Sequence, residues 1–100
     1  MVSGVNRTAE DFSSPLVAPE FVGTSISSQA CSGGMGALKA SNPNVQLAEN
    51  GYRGYLRVDV SRERMKVDLV ALETARVRHA KAHTLASYAV EDGTPVAVAC

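Results

Sequence analysis

The chain is 100 residues long, one domain at most, and its 10 basic and 10 acidic side chains cancel to zero formal net charge. That balance argues against a partner held by whole-chain charge, such as nucleic acid, and against a disordered polyelectrolyte. Apolar residues make up 45% of the chain, but 14 residues are Ala and Trp is absent, so the large side chains that dominate a core are scarce.

Residues 1–14 are polar and mixed and close on Ser13-Ser14-Pro15, which predicts a surface segment leading into the domain. The run Leu16–Ser28 is rich in β-branched and small residues and predicts a strand from about Glu20 to Ile26, with Pro19 at its start. Adjacent Phe21 and Val22 suit a strand covered on both faces. Residues 29–44 hold Ser32-Gly33-Gly34-Met35-Gly36 and Ser41-Asn42-Pro43-Asn44, a long Gly/Ser-rich loop with a short helical turn around Ala37–Ala40.

The second half alternates with period two. Leu56, Val58 and Val60 fall on one face of a strand, and Tyr55, Arg57 and Asp59 on the other. After Ser61-Arg62-Glu63-Arg64 the alternation resumes with Met65, Val67 and Leu69, which predicts an antiparallel hairpin with one buried face. A last strand over Thr84–Val90 ends at the turn signal Glu91-Asp92-Gly93. Residues 73–83 are an irregular crossover or a helical turn. No amphipathic helix of useful length is present to cover the hairpin face, so the chain reads as part of a sandwich.

Residues that carry chemistry are sparse. Cys31 and Cys100 show no metal-ligand spacing, and two free thiols are favoured over one long-loop disulfide. His79 and His83 have the spacing of helical zinc ligands, but Ala80-Lys81-Ala82 supplies no carboxylate and Arg76, Arg78 and Lys81 oppose a cation, so surface histidines are expected. Ser32–Gly36 lacks the ending of a phosphate loop and is expected to be a connector. The basic excess between Arg53 and Lys81 is expected on a solvated strand face, with Asp59 and Asp68 in cross-strand ion pairs beside Arg57 and Lys66. Ser25, Ser27 and Ser28 have no base nearby in sequence. No catalytic, cofactor-binding or metal-ligating residue is assigned. No apolar run reaches the ~20 residues of a membrane span, and the first residues lack a signal pattern.

Four segments nonetheless resemble one family in order. Pro19-Glu20-Phe21-Val22-Gly23-Thr24-Ser25-Ile26-Ser27-Ser28 resembles a motif near the C-terminus of the alkaline phosphatase D (PhoD-like phosphatase) family. Asn42-Pro43-Asn44-Val45, Arg53-Gly54-Tyr55-Leu56-Arg57-Val58-Asp59-Val60 and Thr84-Leu85-Ala86-Ser87-Tyr88-Ala89-Val90-Glu91-Asp92-Gly93 resemble three later segments of that family. Together they span residues 15–95, read as the C-terminal portion of the family domain, with 1–14 before it and 96–100 a tail. The stretch Arg76–His83 departs from the family's usual Asp-rich turn, and Val96–Cys100 from its usual tail.

The resemblance implies a mainly β fold, part of an α/β/β/α metallophosphoesterase sandwich with about four strands, a long Gly/Ser-rich loop and little helix. It implies an exported phosphomonoesterase or phosphodiesterase using iron and calcium, whose Asp, Asn, His, Cys and Tyr ligands lie upstream of the decapeptide. Residues 1–14 contain no His, and Cys31 does not match the ligand position. The chain is therefore expected to hold no cofactor and to be inactive by itself, taking a phosphoester substrate only when completed by an upstream half. With no signal of its own it is cytoplasmic by default, whereas complete members are exported. The alternative is a non-catalytic module whose open edges and uncovered apolar face favour pairing with a separately encoded half or self-association.

Overall fold

The computed structural model describes residues 1–26 and 35–100. These form seven strands and one short helix: β1 (Val2–Asn6), β2 (Leu16–Phe21), α1 (Met35–Ser41), β3 (Val45–Leu47), β4 (Arg53–Val60), β5 (Arg64–Leu72), β6 (Ala82–Glu91) and β7 (Val98–Ala99). The fold is mainly β, as expected, but the count is seven rather than about four. The additional strands are β1 and the short β3 and β7.

Two antiparallel sheets result, one ordered β2-β1-β3 and the other β4-β5-β6-β7. They pack through Val2 of the first sheet against Val67, Leu69 and Tyr88 of the second, with Ala97 beside them. Phe21, Leu47, Leu56 and Met65 close around this cluster, and the Phe21 and Tyr88 rings meet at 6.3 Å, tilted by 59°. The layer that the hairpin needed is thus a second sheet, not a helix.

Residues 1–14 were expected at the surface. Instead Val2, Ser3 and Gly4 are buried, because β1 is the central strand of its sheet and is covered by β2 and β3 on either side. The strand expected over Glu20–Ile26 lies earlier, at Leu16–Phe21, with Pro19 inside it. That is tolerated because β2 is an edge strand, where a missing N–H costs no ladder bond on the open side. Val22 falls beyond the strand and is exposed, so the two-sided covering expected for Phe21 and Val22 does not form.

The hairpin matches its alternation. Val60 pairs with Met65, Val58 with Val67 and Leu56 with Leu69 without a bulge. Val67 and Leu69 are buried and Leu56 is half-buried. Val58 and Val60 share that face yet are 50% and 70% exposed, towards the turn end of the hairpin. The last strand is longer than expected, and its register slips between Leu69 and Val70, leaving Leu85 unpaired as a bulge. At the end of β6, Gly93 takes φ +77° and the Thr94 N–H donates to the Glu91 carbonyl at 3.0 Å, the turn foreseen at Glu91-Asp92-Gly93.

Candidate functional site

A polar group spanning three strands lies on the outer face of the second sheet. Arg57 on β4, Asp68 on β5 and Ser87 on β6 stand in one cross-strand row, because Asp68 is in register with both of the others. Arg57 donates to Asp68 Oδ2 through Nη2 at 2.9 Å and Nε at 3.2 Å, and Ser87 Oγ donates to Oδ1 at 2.6 Å. Lys66 Nζ adds a longer contact at 3.9 Å. The Asp68 side chain is 11% exposed. The hydrogen bond from Ser87, then that from Arg57, holds its carboxyl below the ordinary aspartate range against the opposing effect of burial. The pairing of Asp68 with Arg57 was expected. Asp59 is in register with Lys66, but among the described residues no ion pair forms between them.

This row ties β4, β5 and β6 together through their side chains. Both Asp68 carboxylate oxygens already accept, Oδ2 from Arg57 and Oδ1 from Ser87, and among the described residues no base faces the Ser87 hydroxyl, which donates to that carboxylate. The other predicted features are dispersed. His79 lies in the irregular crossover and His83 at the start of β6, both exposed, so no helix presents them on one face. His83 instead meets the Tyr52 ring edge-on at 5.5 Å. Ser25 uses its carbonyl to accept the Gly54 N–H at 3.3 Å. Cys31, Ser27, Ser28 and Ser32–Gly34 lie outside the described residues. Cys100 is an exposed free thiol. The strand cations Arg57, Arg64 and Lys66 face Asp68 or Glu91, and Arg64 meets Glu91 at 2.8 Å.

Two concavities border these elements. One is a small cavity of about 40 Å³ between the sheets, lined in part by Val22, Thr24, Tyr52, Leu56 and Leu69, large enough for a water or two. The other is an open cleft of about 700 Å³ between Val17 and Pro19 of β2, the hairpin end at Arg62 and Arg64, and Asp92 and Pro95 after β6. Its arginines are offset by Glu91 and Asp92, so it has no anion-selective charge.

The segments that carry the family resemblance are the joints of this structure. Phe21 of the decapeptide packs on Tyr88 of the closing segment. Thr24 Oγ1 donates to the Tyr52 carbonyl at 3.0 Å. Asn44 Nδ2 donates to the Gly4 carbonyl at 2.7 Å, and the Gly4 N–H returns a bond to the Asn44 carbonyl at 2.9 Å. A family model described as PhoD-like phosphatase matches residues 1–69.

The chain belongs to the PhoD-like phosphatase family.

The match takes in the first 14 residues, consistent with β1 being an integral strand. No curated protein and no solved structure matches the chain. The resemblance implies iron and calcium, which are bound through converging His, Cys, Asp or Glu side chains. Among the described residues no three His, Cys, Asp or Glu side chains come together as a cation site requires. Among the described residues, no helix is long and apolar enough to cross a membrane.

Proposed function

We propose that this chain acts as the C-terminal portion of a metal-dependent phosphoester hydrolase, supplying sheet scaffold and no metal ligands, and that it is inactive by itself. Membership of a phosphatase family supports the reaction class. The observation that carries the division of labour is the dispersal of His79, His83, Asp59 and Asp68, each exposed or held in a structural pair, with no three donors converging among the described residues. A phosphoester hydrolysed by activated water needs charge focused on the phosphoryl group. Among the described residues Arg57 and Lys66 face Asp68 and Arg64 faces Glu91, so these cations do not converge on one point.

The test is hydrolysis of p-nitrophenyl phosphate and of its bis-ester by the purified chain with iron and calcium, alone and after co-expression with an upstream half of a family member. Turnover is expected only in the co-expressed pair. Metal-dependent turnover by the chain alone overturns the proposal.

A further inference from the structure

Among the described residues the two sheets have four edge strands, and three are poorly suited to accept another strand. β2 carries Pro19, which has no N–H to offer, and β3 and β7 have only three and two residues. β4 has eight residues, no proline and an unbulged register with β5. The Gly54 N–H, which donates to Ser25 on the side away from β5, fixes the phase of this edge. In an antiparallel strand the N–H and C=O of one residue point the same way and the direction alternates, so Leu56, Val58 and Val60 also present theirs outward. Among the described residues no backbone partner meets those three on that side.

We propose that a second copy of this chain occupies this edge, β4 pairing antiparallel with its counterpart about a two-fold axis at Val58. In that register Val58 faces Val58 and Leu56 faces Val60, all hydrogen-bonded pairs formed by outward-pointing backbone groups. On the outer face Arg57 stands opposite Asp59 of the second copy, and Asp59 opposite the second copy's Arg57. These are non-hydrogen-bonded positions, where side chains approach most closely. Among the described residues Asp59 forms no ion pair, and the Arg57 side chain is 59% exposed with Nη1 beyond its bonds to Asp68. On the inner face the pairing covers Val58 and Val60, which are 50% and 70% exposed.

The strand's own charge order selects this register. Centring on Arg57 sets arginine against arginine, and centring on Asp59 sets aspartate against aspartate. Centring on Leu56 brings Val58 onto Gly54, whose N–H is already bonded to Ser25. The ladder therefore runs from Leu56 to Val60, bounded by the Ser25 contact at one end and the turn at Ser61 at the other.

Sedimentation velocity over a concentration series tests the pairing, with backbone amide hydrogen exchange to locate it. The wild-type chain is expected to dimerise, with the Leu56, Val58 and Val60 amides exchanging more slowly as dimer accumulates. Asp59→Lys places two like-charge pairs across the axis and is expected to weaken the dimer by about tenfold, with the circular dichroism unchanged. Should that variant fail to fold, the concentration dependence of the three wild-type amides decides alone. A wild-type chain that stays monomeric, or a dimer in which these amides gain no protection, overturns the proposal. Neither readout depends on phosphoester hydrolysis, so this result and that of the activity assay stand apart.

Discussion

Two glycines separate crowding against backbone from crowding against a side chain. A Cβ on Gly54 would overlap the Val70 carbonyl oxygen, which the β4–β5 ladder holds in place. A Cβ on Gly4 would meet Leu16 Cδ2 at 2.6 Å, the end of a side chain with other rotamers to adopt. Gly54→Ala is therefore expected to destabilise the fold by about 3 kcal/mol and Gly4→Ala by about 1 kcal/mol, read from urea denaturation midpoints. Equal effects would show that the hairpin can separate at Gly54. At Asp68 the expected effect is on acid stability. Its carboxyl pKa is lowered in the folded chain, first by Ser87 and then by Arg57. Its contribution is therefore complete above the unfolded aspartate value near ~4 and is lost as pH falls through the lower folded value. Ser87→Ala should move the Asp68 carboxyl resonance titration upward and flatten the acid limb of the stability curve. An unchanged carboxyl titration in that variant would remove Ser87 as the leading cause.

Among the elements, what can be read from sequence follows how local the determinants are. The β4–β5 hairpin, the helix at Met35–Ser41 and the turn after β6 each rest on alternation, spacing or a glycine within a few residues. The Arg57–Asp68 pair follows from that hairpin register, but Ser87 enters from another strand, at a position set by pairing across a bulge. β1 has no such local signature. Val2-Ser3-Gly4-Val5-Asn6 offers two large apolar residues, and its burial comes from β2 and β3, which arrive from elsewhere in the chain. The shift of β2 has a related cause, since Pro19 marks a strand start only where both edges are paired. These assignments make Val2 and Val5 unequal. Val2 is 0% exposed in the inter-sheet core and Val5 is 40% exposed. Val2→Ala should cost about 2 kcal/mol and Val5→Ala less than about 0.5 kcal/mol by chemical denaturation. A negligible loss at Val2 would return residues 1–14 to the status of a surface segment.

At the scale of the whole molecule, the two sheets make a thin body of 44 × 35 × 17 Å. The shortest dimension accommodates two sheets about 10 Å apart with their outer side chains and no further layer. The Cα radius of gyration is 14.7 Å, above the ~13 Å typical of a compact chain of this length. A flat shape exposes more surface per residue, and among the described residues the largest side chains fully buried are Val2 and Val67. Stability is accordingly expected at the low end for this size, about 5 kcal/mol. Tyr88 is the largest residue of the core cluster and joins it to Phe21 of the other sheet. Tyr88→Ala should remove about 3 kcal/mol and lower the thermal midpoint by roughly 15–20 °C, with unfolding still one transition because both sheets share that cluster. Tyr88→Phe keeps the ring contact and should stay within about 1 kcal/mol of the parent. Differential scanning calorimetry distinguishes the cases. Two resolved transitions in Tyr88→Ala would mean that each sheet holds itself together and that the core between them couples them only weakly.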